Sequence, residues 1–273
     1  MTQADPYFLG HRQAEQERLQ LQGQELASEA NWLFDQLDLP LIDAQVIELG
    51  CGPRGCLDLL AERVGPQGRV VGLELSDTAV QLARQFVAER GLVNVEVVQG
   101  DAHATGLPRA SFDLATARLV LVNVPQPEQI VTEMVALVRP GGMVALHEAD
   151  YVSLLCDPPH HAWSRLLQAL ETYAQLNGVD LFIGRRVPRL LRDAGLVGVQ
   201  AHPIIYLHPP EHWRRMILWQ FVQNLRDRLI AQGVLAEAEL DELAAALQRH
   251  LEDPDTLVMS HLYIQVWGRK PVA

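Results

Sequence analysis

Short apolar runs alternate with helix-like segments between residues 45 and 150, and this alternation restricts the fold more than any other feature of the chain. Three of the intervening segments, at 56–64, 78–90 and 127–138, have apolar residues at helical spacing. Because strand–helix–strand units build a parallel sheet with both faces covered, the pattern predicts an α/β fold. The apolar runs that we interpret as the first five strands are 46–49, 69–75, 93–99, 112–116 and 142–147.

The flanking parts of the chain are richer in helical patterns. Residues 11–38 have helical period, and no Gly/Ser-rich linker separates two independent domains. We therefore predict an N-terminal helical cap at 1–40 and one core at 41–273, with helical insertions at about 157–180 and 209–254. The elements predicted after residue 150 are helices at 160–176 and 185–194, a strand at 197–206, two helices between 211 and 251, and a strand at 257–267.

Composition and charge restrict the partners of the protein. The 273 residues include 22 Lys and Arg against 34 Asp and Glu, a formal net charge of −12, whereas nucleic-acid binding needs a dense basic surface. No apolar run approaches the ~18–20 residues of a membrane span. The N-terminus is polar and acidic, unlike a signal peptide. We therefore expect a soluble, cytoplasmic protein that binds no nucleic acid and has no membrane span.

Metal sites and disulfides are not indicated by the sequence. Cys51, Cys56 and Cys156 form no CxxC pair, so neither a disulfide scaffold nor a cysteine zinc site is expected. His208 and His212 have the spacing of a ligand pair, but the two prolines between them break the helix that such a pair needs. We therefore predict no metal site.

The strand at 46–49 leads directly into a glycine-rich turn made by Gly50, Cys51, Gly52 and Gly55. Glycines tolerate positive φ and let the backbone approach a ligand, and the following helix points free N–H groups at that ligand. Such a turn alone serves NAD, FAD or another nucleotide equally well. Glu48 inside the strand would repel a pyrophosphate but suits a cationic amino group, which favours S-adenosylmethionine over a dinucleotide.

Two further acidic residues end the next two strands. Glu74 lies about 20 residues beyond the glycine turn, where a carboxylate accepts both ribose hydroxyls of a nucleotide. Asp101 follows the third strand, where it can accept from an adenine amino group while the Ala102 N–H donates to the ring. The structural alternatives are an exposed Glu at a strand end and an Asp in an Asx-turn.

With these motifs in this order, the chain resembles the class I S-adenosylmethionine-dependent methyltransferases, most closely the branch of ubiquinone/menaquinone C-methyltransferases and their small-molecule relatives. The resemblance covers residues 44–150 by motif and the remainder by the order of strands and helices. One departure is that Gly55 comes one residue later than the family's third glycine, so we expect an altered turn that still binds cofactor. The matching segments are ELGCG at 48–52, VVGLELS at 70–76, VVQGDA at 97–102, SFDLATARLVLVNV at 111–124 and LVRPGGMVALHE at 137–148.

The resemblance implies a Rossmann-like α/β fold: a seven-stranded, mostly parallel sheet with an antiparallel last strand, helices on both faces and helical lid insertions. It also implies transfer of a methyl group from S-adenosyl-L-methionine to a small-molecule acceptor, with a hydrophobic or aromatic metabolite favoured. In-line displacement needs alignment and exclusion of water, which lid closure supplies. The cofactor-binding residues expected on this basis are Tyr7, Glu48, Gly50, Cys51, Gly52, Gly55, Glu74, Leu75, Asp101, Ala102, Arg118 and Leu119.

Two of these residues have structural explanations of similar weight. Arg118, which precedes Leu119 at the end of the fourth strand, either meets the methionyl carboxylate or pairs with Asp113 or Glu148. Tyr7 either folds over the cofactor or anchors the first helix. The sequence leaves both pairs of alternatives open.

The acceptor end of the site has weaker signals. His147 and Glu148, at the carboxyl end of the fifth strand, are the catalytic candidates, and His147 is the first choice as a base because imidazole titrates near neutral pH. Aromatic residues of the later helices line either a substrate pocket or the core. They are Trp163, Tyr173, Phe182, Trp213, Trp219 and Phe221.

Other functions and assemblies also fit the sequence. A methyltransferase-like enzyme that binds the cofactor but catalyses a non-methylating rearrangement is one alternative, and a non-catalytic regulatory member of the fold is another. The sequence is compatible with a monomer or a homodimer.

Overall fold

A computed structural model describes residues 8–9 and 13–272, without the side chains of residues 13, 14 and 16. Strands form the centre of the fold. The strands at 45–49, 69–74 and 112–118 consist largely of apolar residues and are buried. The strands in the described ranges are β1 (Gln45–Leu49), β2 (Arg69–Glu74), β3 (Val95–Gln99), β4 (Phe112–Arg118), β5 (Val138–Asp150), β6 (Leu155–Asp157), β7 (Val197–Ile204), β8 (Leu207–His208), β9 (Leu257–Met259) and β10 (Leu262–Arg269).

Seven of these strands form one sheet in the order β3-β2-β1-β4-β5-β10-β7. Strand β10 is antiparallel to both of its neighbours, and the other pairs in the sheet are parallel. The predicted seven-stranded, mostly parallel sheet with an antiparallel last strand is therefore confirmed. The strand order reverses between β1 and β4, which creates a crevice at the carboxyl ends of these strands.

Helices cover both faces of the sheet, as predicted. Alternation along β1 sends Ile47 and Leu49 into one apolar cluster and Val46 into another. The first cluster includes residues of α5 to α9, and the second includes residues of α2, α3 and α4. The helices in the described ranges are α1 (Gln13–Glu25), α2 (Ala27–Asp35), α3 (Leu57–Val64), α4 (Asp77–Glu89), α5 (Pro127–Leu137), α6 (His161–Leu176), α7 (Val187–Asp193), α8 (Ile217–Ala231) and α9 (Glu237–Glu252).

The long helix predicted at 11–38 and the long strand predicted at 257–267 are each divided in the structure. Leu26 separates α1 from α2, and residues 260–261 separate β9 from β10. The hydroxyl of Ser260 accepts the Tyr206 N–H at 2.9 Å and donates to the His261 carbonyl at 2.7 Å, which ties down the break. As a result β9 pairs with β6 and β8 in a small second sheet that periodicity did not reveal, because strands this short have no pattern.

The parts of the chain predicted to be insertions contain α6, α8 and α9, and these helices pack on one another. No helix within the described ranges combines the length and apolar character needed to cross a bilayer. The division into an N-terminal cap, a core and insertions stays a prediction.

A buried arginine joins the two helices that precede β9. Arg215, only 2% exposed, lies in a 3-10 turn before α8. Its guanidinium donates to the carbonyls of Leu251, Asp253 and Thr256 at 2.7–3.0 Å. These are carbonyls at and beyond the C-terminus of α9, where helical partners run out and a positive charge is favourable.

We predict that Arg215→Met lowers the free energy of unfolding by about 2–4 kcal/mol, because buried carbonyls lose their donors. Urea denaturation followed by circular dichroism measures the change. Arg249→Met, at an exposed position on α9, is the matched control, and its free energy of unfolding should stay within about 0.5 kcal/mol of that of the parent. Equal stability of the two variants would contradict this account of Arg215.

Candidate active site

A cavity of about 250 Å³ opens at the carboxyl ends of the parallel strands, at the crevice where the strand order reverses. The glycine turn after β1 and the ends of β2, β3 and β4 supply one part of its wall. Helices α1 and α8 and residues beside β5 and β10 supply the rest. The sequence-predicted residues that border it are Glu48, Gly50, Cys51, Gly52, Gly55, Glu74, Leu75, Asp101, Ala102, Arg118 and Leu119.

The three glycines of the turn share a positive φ but differ in what surrounds them. Gly50, Gly52 and Gly55 all have positive φ, at 64°, 58° and 55°. A Cβ on Gly50 would lie 2.6 Å from Val120, and one on Gly55 would clash with an oxygen of Glu48. A Cβ on Gly52 would meet nothing within 4 Å. Gly52 therefore faces open space, while the late third glycine makes room for the Glu48 carboxylate.

Glu48 is buried beneath this turn and holds it together. Its two carboxylate oxygens accept the Cys56 N–H at 3.0 and 2.8 Å, just before α3. Burial raises the pKa of Glu48 to about 7, and the nearby Arg118 charge and the Cys56 hydrogen bond limit that rise. The carboxylate thus places a titratable group, poised near neutral pH, in the cavity wall.

Arg118 makes neither of the two ion pairs that the sequence left open. Its guanidinium donates to the carbonyl of Gly55 at 3.0 Å and to that of Leu26 at 3.4 Å. It therefore links the glycine turn to the junction of α1 and α2. Leu119, the next residue, has a φ of 56°, an unfavourable value for a residue with a side chain, and its N–H donates to the carbonyl of His147.

Glu74 and Asp101 both border the cavity with acceptor capacity remaining. The Glu74 oxygens accept the N–H groups of Gly52 and Ser76, each at 2.9 Å, which leaves further lone pairs on both oxygens. One oxygen of Asp101 accepts from the backbone and ring of His103 at 2.9 and 2.7 Å. The contact to the backbone is the Asx-turn expected as the alternative, and it occupies only that oxygen.

The electrostatics of Asp101 keep it ionised. Partial burial raises its pKa, but the hydrogen bonds and charge of His103 outweigh that effect and bring the pKa below its usual value. The His103 ring also contacts the Pro125 carbonyl at 2.9 Å, which fixes its position beside the cavity. An ionised acceptor is therefore held at the end of β3.

His147 and Glu148 lie away from the cavity wall, which does not support their expected catalytic roles. Glu148 is fully buried and accepts the N–H groups of residues 120, 121 and 122 at 2.9–3.2 Å. His147 is buried with Nδ1 at 3.4 Å from Gln265, and burial lowers its pKa to about 3. Glu148 thus stabilises the turn after β4, and His147 lies in the core, outside the set of residues that border the cavity.

Other expected residues are divided between core and cavity. Tyr7 lies outside the described residues. Of the six aromatic residues expected in a pocket or the core, Phe221 borders the cavity, and the other five do not. Cavity residues that sequence reasoning missed are Tyr151, His261 and Tyr263. What these residues share is their place at one edge of the sheet, because the antiparallel strand β10 begins beside the end of β5.

The described residues contain no group of three or more potential metal ligands. His208 and His212 stack at 4.7 Å between ring centroids, and His212 pairs with Glu25 at 2.6 Å. The histidine pair therefore contributes to the packing beside α1.

Comparison with known proteins defines the class. Residues 42–195, more than half of the chain, match the family model described as a methyltransferase domain. The chain belongs to this methyltransferase family. Membership confirms the class predicted from the sequence and its cofactor, S-adenosylmethionine.

Two relatives and one solved structure are similar to this chain. It is 34% identical over 78% of its length to an "Uncharacterized 37.1 kDa protein in transposon TN4556" of Streptomyces fradiae. It is 37% identical over 47% of its length to a demethylmenaquinone methyltransferase of Listeria monocytogenes. The alignments span only 62% and 52% of these relatives.

The solved structure is a Haemonchus contortus phosphoethanolamine N-methyltransferase in complex with S-adenosylhomocysteine and phosphomonomethylethanolamine. The two chains share 13% sequence identity and superpose with a TM-score of 0.58. The match covers 89% of this chain and 52% of the Haemonchus chain. At this identity the likeness shows the fold alone.

The raised pKa of Glu48 predicts how stability depends on pH. The folded state keeps the Glu48 proton up to about pH 7, whereas the unfolded chain loses it near the ordinary value of 4.5. Folding therefore binds a proton in this window, and the unliganded protein loses stability as pH rises from about 5 to 7. The slope attributable to Glu48 is at most about 1.4 kcal/mol per pH unit.

Urea denaturation at several pH values tests this prediction with Glu48→Gln, which keeps the side-chain shape and removes the titration. We expect the variant to have a flatter stability profile between pH 5 and 7 than the parent. Burial also raises the pKa of Glu148 to about 7, but this group is present in both proteins. Its contribution to the pH dependence of stability therefore cancels when the two profiles are subtracted. Glu62→Gln, on the exposed side of α3, serves as the control. Parallel profiles for Glu48→Gln and the parent would disprove the assignment.

Proposed function

We propose that this protein transfers a methyl group from S-adenosylmethionine to a small-molecule acceptor bound in the same cavity. The observation that carries the proposal is the convergence of Glu48, Glu74 and Asp101 on one cavity beside an open Gly52. A nucleoside with an amino-acid tail offers hydroxyl, amino and ammonium donors to such a set of acceptors. A pyrophosphate would instead meet three carboxyl groups.

The residues around the cavity fit this cofactor. Glu74 would accept from the ribose hydroxyls with the lone pairs that Gly52 and Ser76 leave free. Asp101 and the Ala102 N–H would hold the adenine, since the second Asp101 oxygen accepts no hydrogen bond from the described residues. The open space at Gly52 would admit the ligand against the backbone.

Glu48 and Arg118 supply opposite charges for the amino-acid tail. Both border the cavity, and the Arg118 charge acts on the Glu48 carboxyl strongly enough to limit its pKa. An ammonium group near Glu48 would favour the ionised carboxylate, and a carboxylate would be attracted to Arg118. Bound S-adenosylmethionine supplies an activated methyl group on a sulfonium, so the chain's main tasks are alignment and exclusion of water.

The acceptor is a small hydrophobic or aromatic molecule in this proposal. Leu9, Ile217, Phe221 and other apolar groups border the cavity beyond the acidic residues. Relatives named demethylmenaquinone methyltransferase support an acceptor of this kind. The net charge of −12 disfavours nucleic acid, and a cytoplasmic monomer or homodimer remains our expectation.

Two alternatives from the sequence are separated by their products. A non-methylating rearrangement would leave the acceptor's mass unchanged, whereas methylation adds the mass of one CH2 group. A regulatory member of the fold would bind cofactor and convert no acceptor. Mass spectrometry of the acceptor after incubation with the protein and S-adenosylmethionine distinguishes these outcomes.

Glu74→Ala is expected to weaken binding of S-adenosylhomocysteine by about 10- to 100-fold, because charge-assisted hydrogen bonds to the ribose are lost. Methylthioadenosine has the same nucleoside without the amino-acid tail, so its affinity should fall by a similar factor. Isothermal titration calorimetry measures both.

Glu48→Gln is the matched comparison for this experiment. It should weaken S-adenosylhomocysteine, which has the ammonium group, and leave methylthioadenosine nearly unchanged. Absence of S-adenosylhomocysteine binding to the parent protein, or equal affinities for parent and Glu74→Ala, would remove the basis of the proposed function.

A further inference from the structure

The cavity continues well beyond the part that the proposed cofactor residues border. Glu74 ends β2, whereas Tyr263 lies on β10, and the sheet order puts four strand spacings between them. At about 4.8 Å per spacing this is roughly 19 Å. The far end of the cavity is therefore a separate region, bordered by Tyr151, Phe221, His261 and Tyr263.

Two of these residues face each other across the pair β5 and β10. Asp150, the last residue of β5, is opposite Leu262, the first residue of β10. Tyr151 and His261 flank that pair directly, and their ring centroids are 4.3 Å apart with an angle of 66° between the ring planes. The rings of Phe221 and Tyr263 lie 6.2 and 5.9 Å from His261, so the imidazole is surrounded by aromatic side chains.

His261 is buried without satisfying its hydrogen-bonding capacity. It is 5% exposed, and its Nε2 has no hydrogen-bond partner. No hydrogen bond from the described residues reaches its Nδ1 or the Tyr151 hydroxyl either. Leaving a buried polar group unpaired is costly, so such a group at a cavity wall indicates a ligand that pairs with it.

The hydrogen-bonding groups at this end of the cavity fit an acceptor that has a hydroxyl group. Burial lowers the pKa of His261 to about 3, and the charges of Arg214, Arg18 and His208 contribute to that decrease, so the ring is neutral. Both arginines are paired with carboxylates, Arg18 with Glu15 at 2.6 Å and Arg214 with Glu25 at 2.5 Å. An arginine, Arg214, also donates to the Tyr263 hydroxyl. A neutral imidazole with unpartnered ring nitrogens offers one donor and one acceptor, so it can pair with a hydroxyl group of a ligand.

We propose that Tyr151, His261, Phe221 and Tyr263 form the acceptor subsite, and that it recognises a planar aromatic molecule through a phenolic hydroxyl hydrogen-bonded to His261. This inference rests on the proposed function, because it assigns the acceptor of the same cavity. The aromatic rings provide edge and face contacts for a flat ligand. His261 is a recognition residue that positions the hydroxyl.

A pair of probes that differ in one hydrogen-bond donor tests the inference. Naphthol presents a phenolic hydroxyl, and methoxynaphthalene has the same ring system but cannot donate. Titration calorimetry of the full chain, with and without saturating S-adenosylhomocysteine, gives the affinity for each probe. We expect the parent protein to bind naphthol more tightly than methoxynaphthalene by about five- to twentyfold.

His261→Phe should abolish this preference by weakening naphthol alone, while the affinity for S-adenosylhomocysteine stays within twofold. His202→Phe makes the same substitution outside the cavity lining and should preserve the preference. Tyr151→Phe provides a second variant with its ring retained, and it should reduce naphthol binding by about three- to tenfold. It keeps the test informative if His261→Phe does not fold.

The outcomes separate this inference from the proposed function. Failure of the parent to bind naphthol, no preference between the probes, or an unchanged preference in both variants would overturn the acceptor assignment while cofactor binding stands. If S-adenosylhomocysteine does not bind but the preference depends on His261, the proposed function fails and the phenol-recognising subsite remains.

Discussion

The contact between the Glu48 carboxylate and the Cys56 N–H underlies the geometry of the whole site. It ties the end of β1 to the start of α3 across the glycine turn, with room provided by the missing side chain of Gly55. Arg118 binds the outer side of the same turn and the junction of α1 and α2. The buried carboxyl therefore fixes the loop against which a nucleoside would lie, at the cost of a pKa raised to about 7.

The central sheet was predictable from the sequence because its inner parallel strands β1, β2, β4 and β5 are buried on both faces and the helices between the strands are amphipathic. The acidic residues at the ends of β1, β2 and β3 were predictable for the same reason, since their positions follow from where the strands end. Elements whose formation depends on residues far away in the sequence were not predictable in this way. The division of residues 257–267 is one example, because Ser260 is held by Tyr206 and Ser153, which lie far away in the sequence.

The part of the cavity proposed to bind the acceptor shows most clearly what the sequence could not predict. His147 was favoured because it lies at the carboxyl end of the fifth strand and imidazole titrates near neutral pH, but alternation in β5 turns it into the core against Gln265 and Tyr263. His261 gave no local signal, and only the antiparallel direction of β10 brings it to the carboxyl edge of β5. A strand's direction relative to its neighbours decides which of its ends borders the site, and the sequence pattern of one strand does not contain that information.

Helix α1 forms part of the cavity wall, and polar contacts join it to α8 and to the 3-10 turn before α8. Glu15 accepts from Asn224, Arg18 lies over the Phe221 ring, and Glu25 accepts from Trp213 and Arg214. Charge-mediated docking of partly exposed groups such as Glu25 weakens with ionic strength, whereas the apolar packing of the sheet is strengthened by excluded salts. The α1 side and the sheet side of the cavity thus respond in opposite directions to added salt. How fully the cavity encloses a ligand therefore depends on the salt in solution as well as on the protein.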